Sequence, residues 1–285
     1  MEVTGILEHL PETVRKRIAG MSSPLPSNEQ ERLERIAEAK NLEPGFLSDY
    51  DCEICKNRGE IWEVAATEYG YPELRARKCR CTPIRESMTR IKQSGLGEML
   101  ERYTLSSWEC RESWQDAVKK AAVRYAESPE GWFYLGGRPG TGKTHICTAI
   151  CSMFLNRGFA VRYMLWRDVS VAAKAAVNDE ERYRELVRPL KAVPVLYVDD
   201  LFKTGKIYDR RTGQRVDAEP TAGDVNFAFE ILNARYNDTE KYTILSSEYS
   251  IERLLDIDEG LGSRIYQRSK NNCYDLADKS NWRIE

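Results

Sequence analysis

The stretch Gly137-Arg138-Pro139-Gly140-Thr141-Gly142-Lys143-Thr144 decides the reading of this 285-residue chain. Two glycines with four residues between them, followed by Lys and Thr, form the phosphate-loop pattern. Chance would produce those four fixed positions in roughly one chain of this length in a hundred. The flanks strengthen the match. Gly131-Trp132-Phe133-Tyr134-Leu135-Gly136 reads as a short buried strand bounded by glycines, and Ile146, Ala149, Ile150, Met153 and Phe154 recur at helical spacing after the loop. Glycines let main-chain N–H groups close around phosphate oxygens at a helix N-terminus, whose partial positive charge favours an anion. Lys143 is then expected to meet the β- and γ-phosphates of ATP, or the β-phosphate of ADP, and the Thr144 hydroxyl to ligate Mg²⁺. Gly137, Pro139, Gly140, Thr141, Gly142 and His145 complete the nucleotide-binding loop and the first turn of its helix.

Composition narrows the class. At 41% hydrophobic and 31% charged residues the chain suits a globular fold with a sizeable core. No run of 18 apolar residues exists, and the N-terminus lacks the basic-then-apolar layout of a secretory signal, so the expectation is a cytoplasmic protein with no membrane contact. The net charge of −2 excludes an overall basic sponge for nucleic acid, so any such binding must be local. In a cytoplasmic chain the eight cysteines point to metal or chemistry before disulfides.

Residues 1–50 hold two short helical patterns, one around Val14 and Ile18 and one over Glu31 to Lys40, separated by Pro24 and Pro26. They either pack on the next module or offer an apolar stripe to a partner. Cys52-Glu53-Ile54-Cys55 follows, then twenty-three residues, then Cys79-Arg80-Cys81. Two close thiol pairs suit a tetrahedral, structural Zn²⁺ held by Cys52, Cys55, Cys79 and Cys81, although the second pair has one intervening residue instead of two. A small core or a redox dithiol are the other readings of the same spacing. Between the pairs, Ile61-Trp62-Glu63-Val64 and Tyr69-Gly70-Tyr71 read as a short hairpin. Leu74 to Lys92 is basic, either a phosphate-holding patch or a solvated linker helix, and Ser94-Gly95-Leu96-Gly97 reads as a hinge. The expected division is therefore a helical and zinc-binding domain over residues 1–95 and an α/β phosphate-loop domain over residues 96–285.

In the second half, Val161 to Leu165 is a strand, and Pro194-Val195-Leu196-Tyr197-Val198-Asp199-Asp200 is an apolar strand ending in two carboxylates. Asp199 is expected to hold Mg²⁺ from a strand adjacent to the phosphate loop, and Asp200 to polarise the attacking water. The run from Phe202 to Arg215 carries five basic residues with Phe202 and Tyr208. It reads either as a single-strand-binding loop, gripping by phosphate contact and stacking, or as a plain mobile surface loop. Tyr242 to Ser247 is a further strand ending in hydroxyls, and Ser250 caps the next helix.

The order of phosphate loop, Val198-Asp199-Asp200, Leu245-Ser246-Ser247-Glu248, Gly262-Ser263-Arg264 and Asn281-Trp282-Arg283 resembles the AAA+ ATPase of bacterial and phage replicative-helicase loaders of the DnaC type. The cysteine-rich module resembles the N-terminal zinc domain of its Gram-positive and phage, DnaI-like branch. The resemblance covers about residues 45–285. It implies an AAA+ parallel sheet flanked by helices, preceded by a small α/β zinc-binding domain. It also implies Ser247 as first sensor, Arg264 as an arginine finger reaching a neighbouring subunit, and Arg283 as second sensor. A fixed, always charged fork suits both arginines to charge on a transferring phosphoryl group. The implied partners are a hexameric replicative helicase, single-stranded DNA and further copies of the chain. The alternatives are an ATPase assisting DNA transposition and a non-catalytic helicase adaptor or inhibitor. Three departures stand out: Glu248 where loaders often have Asn, Asp200 where many AAA+ proteins have Glu, and the length of the basic loop.

Overall fold

The computed structural model describes residues 28–93, 97–209, 211 and 213–281. The helix read around Val14 and Ile18, the Ser94-Gly95-Leu96 part of the hinge and Arg283 lie outside the described residues. The chain divides into two compact units, Met1–Cys79 and Arg80–Glu285, whereas the sequence reading set its boundary near residue 95. Helix α2 (Thr82–Gln93), on the far side of that boundary, packs against strand β4 (Val161–Leu165) of the second unit.

In the first unit, helix α1 (Glu29–Leu42) starts at Asn28, whose side chain accepts the Glu31 N–H at 2.8 Å. It packs on a two-stranded antiparallel ribbon, β1 (Glu60–Ala66) with β2 (Pro72–Lys78). The Asn41 amide locks the two together, donating to Trp62 O at 2.8 Å and accepting the Trp62 N–H at 2.9 Å. The hairpin read from sequence exists, but Tyr69-Gly70-Tyr71 forms its exposed turn, and the second strand is the basic stretch that follows. Arg75 and Arg77 of that strand are ion-paired to Glu63 across the ribbon, so one carboxylate faces two cations of the basic stretch.

The second unit is a five-stranded, wholly parallel sheet flanked by helices, the architecture of AAA+ phosphate-loop NTPases. After α2 come α3 (Gly97–Arg102), α4 (Ser113–Glu127), β3 (Trp132–Gly136), α5 (Lys143–Asn156), β4, α6 (Trp166–Ala175), α7 (Glu180–Ala192) and β5 (Val195–Leu201). An excursion, β6 (Lys206–Asp209) and β7 (Gln214–Asp217), leads to α8 (Ala222–Tyr236), β8 (Tyr242–Ser247), α9 (Ile251–Ile257), α10 (Glu259–Ser269) and β9 (Cys273–Asp275). The strand order is β4-β5-β8-β3-β9. The aspartate-bearing strand β5 is therefore not adjacent to the phosphate-loop strand β3, as the sequence reading required, because β8 stands between them. Loop-to-strand distance along the chain carries no information about strand order, since parallel neighbours need crossovers of any length.

Every residue of β3 is buried, as a strand covered on both faces demands. Arg235 on α8 is wholly buried, donating to Thr243 Oγ1 and to the carbonyls of Leu190, Val193, Pro194 and Tyr242 at 2.7–3.2 Å. One guanidinium thus satisfies the loop before β5 and the start of β8 together; burial lowers its pKa to about 10, which leaves it cationic at neutral pH. The basic run after β5 is largely the antiparallel hairpin β6–β7, with Ile207 and Tyr208 exposed. Phe202 is no stacking residue: it is fully buried, edge-on to Trp166 at 5.2 Å.

Candidate functional site

Helix α5 opens at Gly142 with no acidic residue in its first turn, so its positive end is free to face an anion. The loop before it is held tightly. Gly142 has φ +83, and a Cβ there would come within 2.4 Å of the Trp108 ring. Lys143 is buried and its Nζ donates to the carbonyls of Gly137 at 2.6 Å and Arg138 at 2.9 Å. Burial lowers its pKa, with the charges of Asp200 and Glu248 opposing that shift.

The Thr144 hydroxyl donates to Asp199 Oδ1 at 3.4 Å. Two oxygens on adjacent corners of an Mg²⁺ octahedron lie about 3 Å apart, so this pair fits the ion. Tyr197 (2.6 Å) and Ser246 (2.5 Å) also donate to Oδ1, and Tyr163 (3.3 Å) donates to Oδ2. Asp199 is 4% exposed; burial raises its pKa and the hydroxyls partly offset this. An acid whose folded pKa is raised contributes stability below the unfolded carboxylate pKa and loses it as pH rises through the folded one. Asp199→Asn should therefore raise Tm at pH 7, with the gain closing as pH falls into the ordinary carboxylate range. Thermal melts from pH 4 to 8 check this, and an unchanged Tm difference across that range would refute it.

Strand β5 shifts register between Val198 and Leu201, and Asp200 there has φ +55. The Asp200 N–H donates to Ser246 Oγ at 2.9 Å, and its Oδ2 accepts from Lys203 Nζ at 2.8 Å. Lys203 also meets Glu248 Oε1 at 2.9 Å. A cleft of about 450 Å³ runs over this ground, bordered by Lys143, Thr144, Asp200, Lys203 and Glu248 on one side and by Arg102, Tyr103 and Trp108 on another. His145 ties the second wall to α5, its Nε2 lying 2.9 Å from Thr104 O and its ring stacked on Tyr103 at 4.8 Å. Apart from this cleft, the four sulfurs of Cys52, Cys55, Cys79 and Cys81 lie within 4.8 Å of one another, all buried. Cys52 Sγ and Cys79 Sγ are 3.8 Å apart, matching the edge of a sulfur tetrahedron with Zn–S of about 2.3 Å, which is about 3.8 Å. The Gly59 N–H donates to Cys55 Sγ at 3.3 Å, as a thiolate acceptor would want.

Residues 115–268 match the family model described as IstB-like ATP binding protein. The chain belongs to that family. The IstB-like chain carries an AAA+ ATP-binding domain, and its relatives include helicase loaders of the DnaC type. It is 29% identical over 208 residues to "Uncharacterized protein YqaM" of Bacillus subtilis (strain 168), covering 69% of this chain and 62% of that one. It is 34% identical over 134 residues to "Phage-like element PBSX protein XkdC" of the same strain, covering 46% and 45%. To "Replicative helicase loader DnaC" of Escherichia coli (strain K12) it is 29% identical over 175 residues, covering 60% and 66%. The IstB-like chain thus spans about half to two-thirds of the length of these relatives. Among solved structures, the DnaC helicase loader crystal structure aligns at TM-score 0.48 and 19% identity, over 63% of this chain and 98% of that one. The DnaI crystal structure aligns at 0.46 and 18%, over 65% and 92%.

The other positions singled out in the IstB-like sequence fall in different surroundings. Ser247 is buried, its Oγ donating to Leu201 O at 2.8 Å and accepting the Tyr249 N–H; its neighbour Ser246 is the hydroxyl on Asp199. Arg264 does not line the cleft of its own chain: Nη1 donates to Gly260 O at 2.7 Å, and the guanidinium lies over the rings of Phe229 (4.9 Å) and Tyr236 (5.5 Å). The sequence reading missed Arg102, Tyr103 and Trp108. Their one visible signal was two aromatics just ahead of the helix at Ser113, with nothing linking them to a loop some thirty residues on.

Proposed function

We propose that this IstB-like protein is an ATP-dependent loader that places a replicative DNA helicase on single-stranded DNA at the start of replication. The observation that carries the reading is the pairing of Thr144 with Asp199 beneath the Lys143 loop, in a chain whose relatives include proteins named as replicative helicase loaders. Bound ATP with Mg²⁺ supplies the phosphoryl group and the charge that switches the assembly. Lys143 holds the β- and γ-phosphates, Thr144 and Asp199 hold the metal, and Asp200 orients water and takes its proton. Tyr103 and Trp108 border the cleft where a base can lie against a ring. Gly137, Pro139, Gly140, Thr141, Gly142 and His145 complete the nucleotide-binding set. Ser247 and Arg283 are the sensors, and Arg264, outside its own cleft, is the finger for a neighbouring copy's γ-phosphate. Self-association through the ATPase domain follows from that role.

The hairpin β6–β7, with Tyr208 65% exposed and Lys206 and Arg215 at the surface, offers charge and a ring to single-stranded DNA. Cys52, Cys55, Cys79 and Cys81 hold a structural Zn²⁺, and the residues 1–95 that carry them grip the helicase. Mixing the full chain with purified hexameric replicative helicases and weighing the complexes with and without ATP is the decisive experiment. A defined complex whose mass responds to ATP is expected. Capture of a transposase and no helicase would turn the reading to transposition, and helicase binding without any turnover would turn it to an adaptor.

A further inference from the structure

The loader reading assigns no role to Lys203, the residue that joins two carboxylates at the cleft. Asp200 stands at the end of β5 and Glu248 just past the end of the neighbouring β8, and Lys203 Nζ lies 2.8 Å from the first and 2.9 Å from the second. The turn that delivers it is built for the purpose. Asp200 and Phe202 both have positive φ, +55 and +65, a conformation that non-glycine residues adopt only when their surroundings impose it. The Lys203 N–H closes the turn on Asp200 O at 2.9 Å, and the wholly buried Phe202 ring, wedged on Trp166, pins it. Strain in a short turn, a buried anchor and a doubly bonded ammonium coincide beside the Mg²⁺ pair.

We propose that Lys203 is a positioning residue for ATP hydrolysis, holding the Asp200 and Glu248 carboxylates together at the cleft so that Asp200 faces the attacking water. This rests on the reading that the cleft hydrolyses ATP. In that step the water oxygen bonds to the γ-phosphorus, the bond to the β–γ bridging oxygen breaks with its electron pair leaving on ADP, and the water proton passes to Asp200. Without the ammonium, two like charges share one corner and repel, which moves Asp200 off its line to the water. Lys143 also faces this corner, as do Asp199 and Tyr163 behind Asp200, and Arg102 and Arg111 line the cleft. Burial would lower the Lys203 pKa, but its hydrogen bonds to Asp200 and Glu248 raise it, so the bridge persists at neutral pH.

The test is kcat and KM of ATP turnover at one neutral pH for the full chain, for Lys203→Met, for Lys203→Arg and for Lys203→Met combined with Glu248→Gln. Lys203→Met should lower kcat about tenfold, with KM for ATP within about threefold of wild type. Lys203→Arg should keep most of kcat, and the double variant should regain part of what Lys203→Met loses because the competing charge is gone. Lys203 is 43% exposed at its side chain, so a folded variant is expected, and retained MgATP binding checks it. An unchanged kcat in a Lys203→Met protein that binds MgATP, or a Lys203→Arg protein no more active than Lys203→Met, overturns the inference. A wild type with no turnover at all overturns the hydrolysis reading itself, and the role with it.

Discussion

Lys143→Ala should cut ATP turnover by at least about 100-fold, the loss that follows removal of one preorganised charge from a developing oxyanion. The Lys143 Nζ sits on the Gly137 and Arg138 carbonyls at the head of the cleft, where no other side chain of the loop brings a positive charge inward. Thr144 and Asp199 are left untouched by the change, so the defect should fall on phosphate binding and on kcat together. Fluorescent-nucleotide titration and phosphate-release assays read the two separately. A Lys143→Ala protein that binds and hydrolyses ATP normally would remove the loop from the site altogether. The same variant should lose the ATP response of any helicase complex while keeping contacts made elsewhere on the chain.

The second large effect concerns the metal. Elemental analysis of protein purified without added metal should give about one zinc per chain, and chelation should unfold the first unit. Among its described residues the buried apolar side chains are Ala37, Cys52, Cys55 and Cys79, so the thiols themselves are most of the interior. A domain with so little to bury would draw its stability from an ion on those thiols, whose binding contributes on the order of 10–16 kcal/mol in small zinc modules. Cys79→Ser should act like the chelator. Limited proteolysis of the full chain is the readout: early cuts within residues 28–79 and a surviving ATPase half are expected. Zinc-free protein that resists protease as well as the native form would show that the four thiols need no ion.

What the residues disclosed before folding follows a physical pattern. The strand over Val161 to Leu165 was legible to the residue, and β3 nearly so, because buried parallel strands are short apolar runs bounded by turn signals. The phosphate loop was legible because its chemistry constrains consecutive positions. Strand order was not, and so the intrusion of β8 between β3 and β5 came as a correction. Nor could adjacent hydroxyls be told apart: successive residues of a strand face opposite ways, so only the register decides that Ser246 turns to Asp199 and Ser247 to Leu201. Phe202 was misjudged for a related reason. An aromatic within a basic run looks like a stacking platform until a positive φ swings it inward.

The placement of β3 bears on how the chain is made. Both of its neighbours, β8 and β9, are encoded more than a hundred residues downstream, so during synthesis this inner strand leaves the ribosome with neither neighbour to pair against. The four clustered thiols, by contrast, have all been synthesised by Cys81, so their cluster can close early. Translation thus delivers the complete thiol cluster first and a bare apolar strand second, and the interval until Tyr242 emerges is when that strand is open to aggregation or to a chaperone.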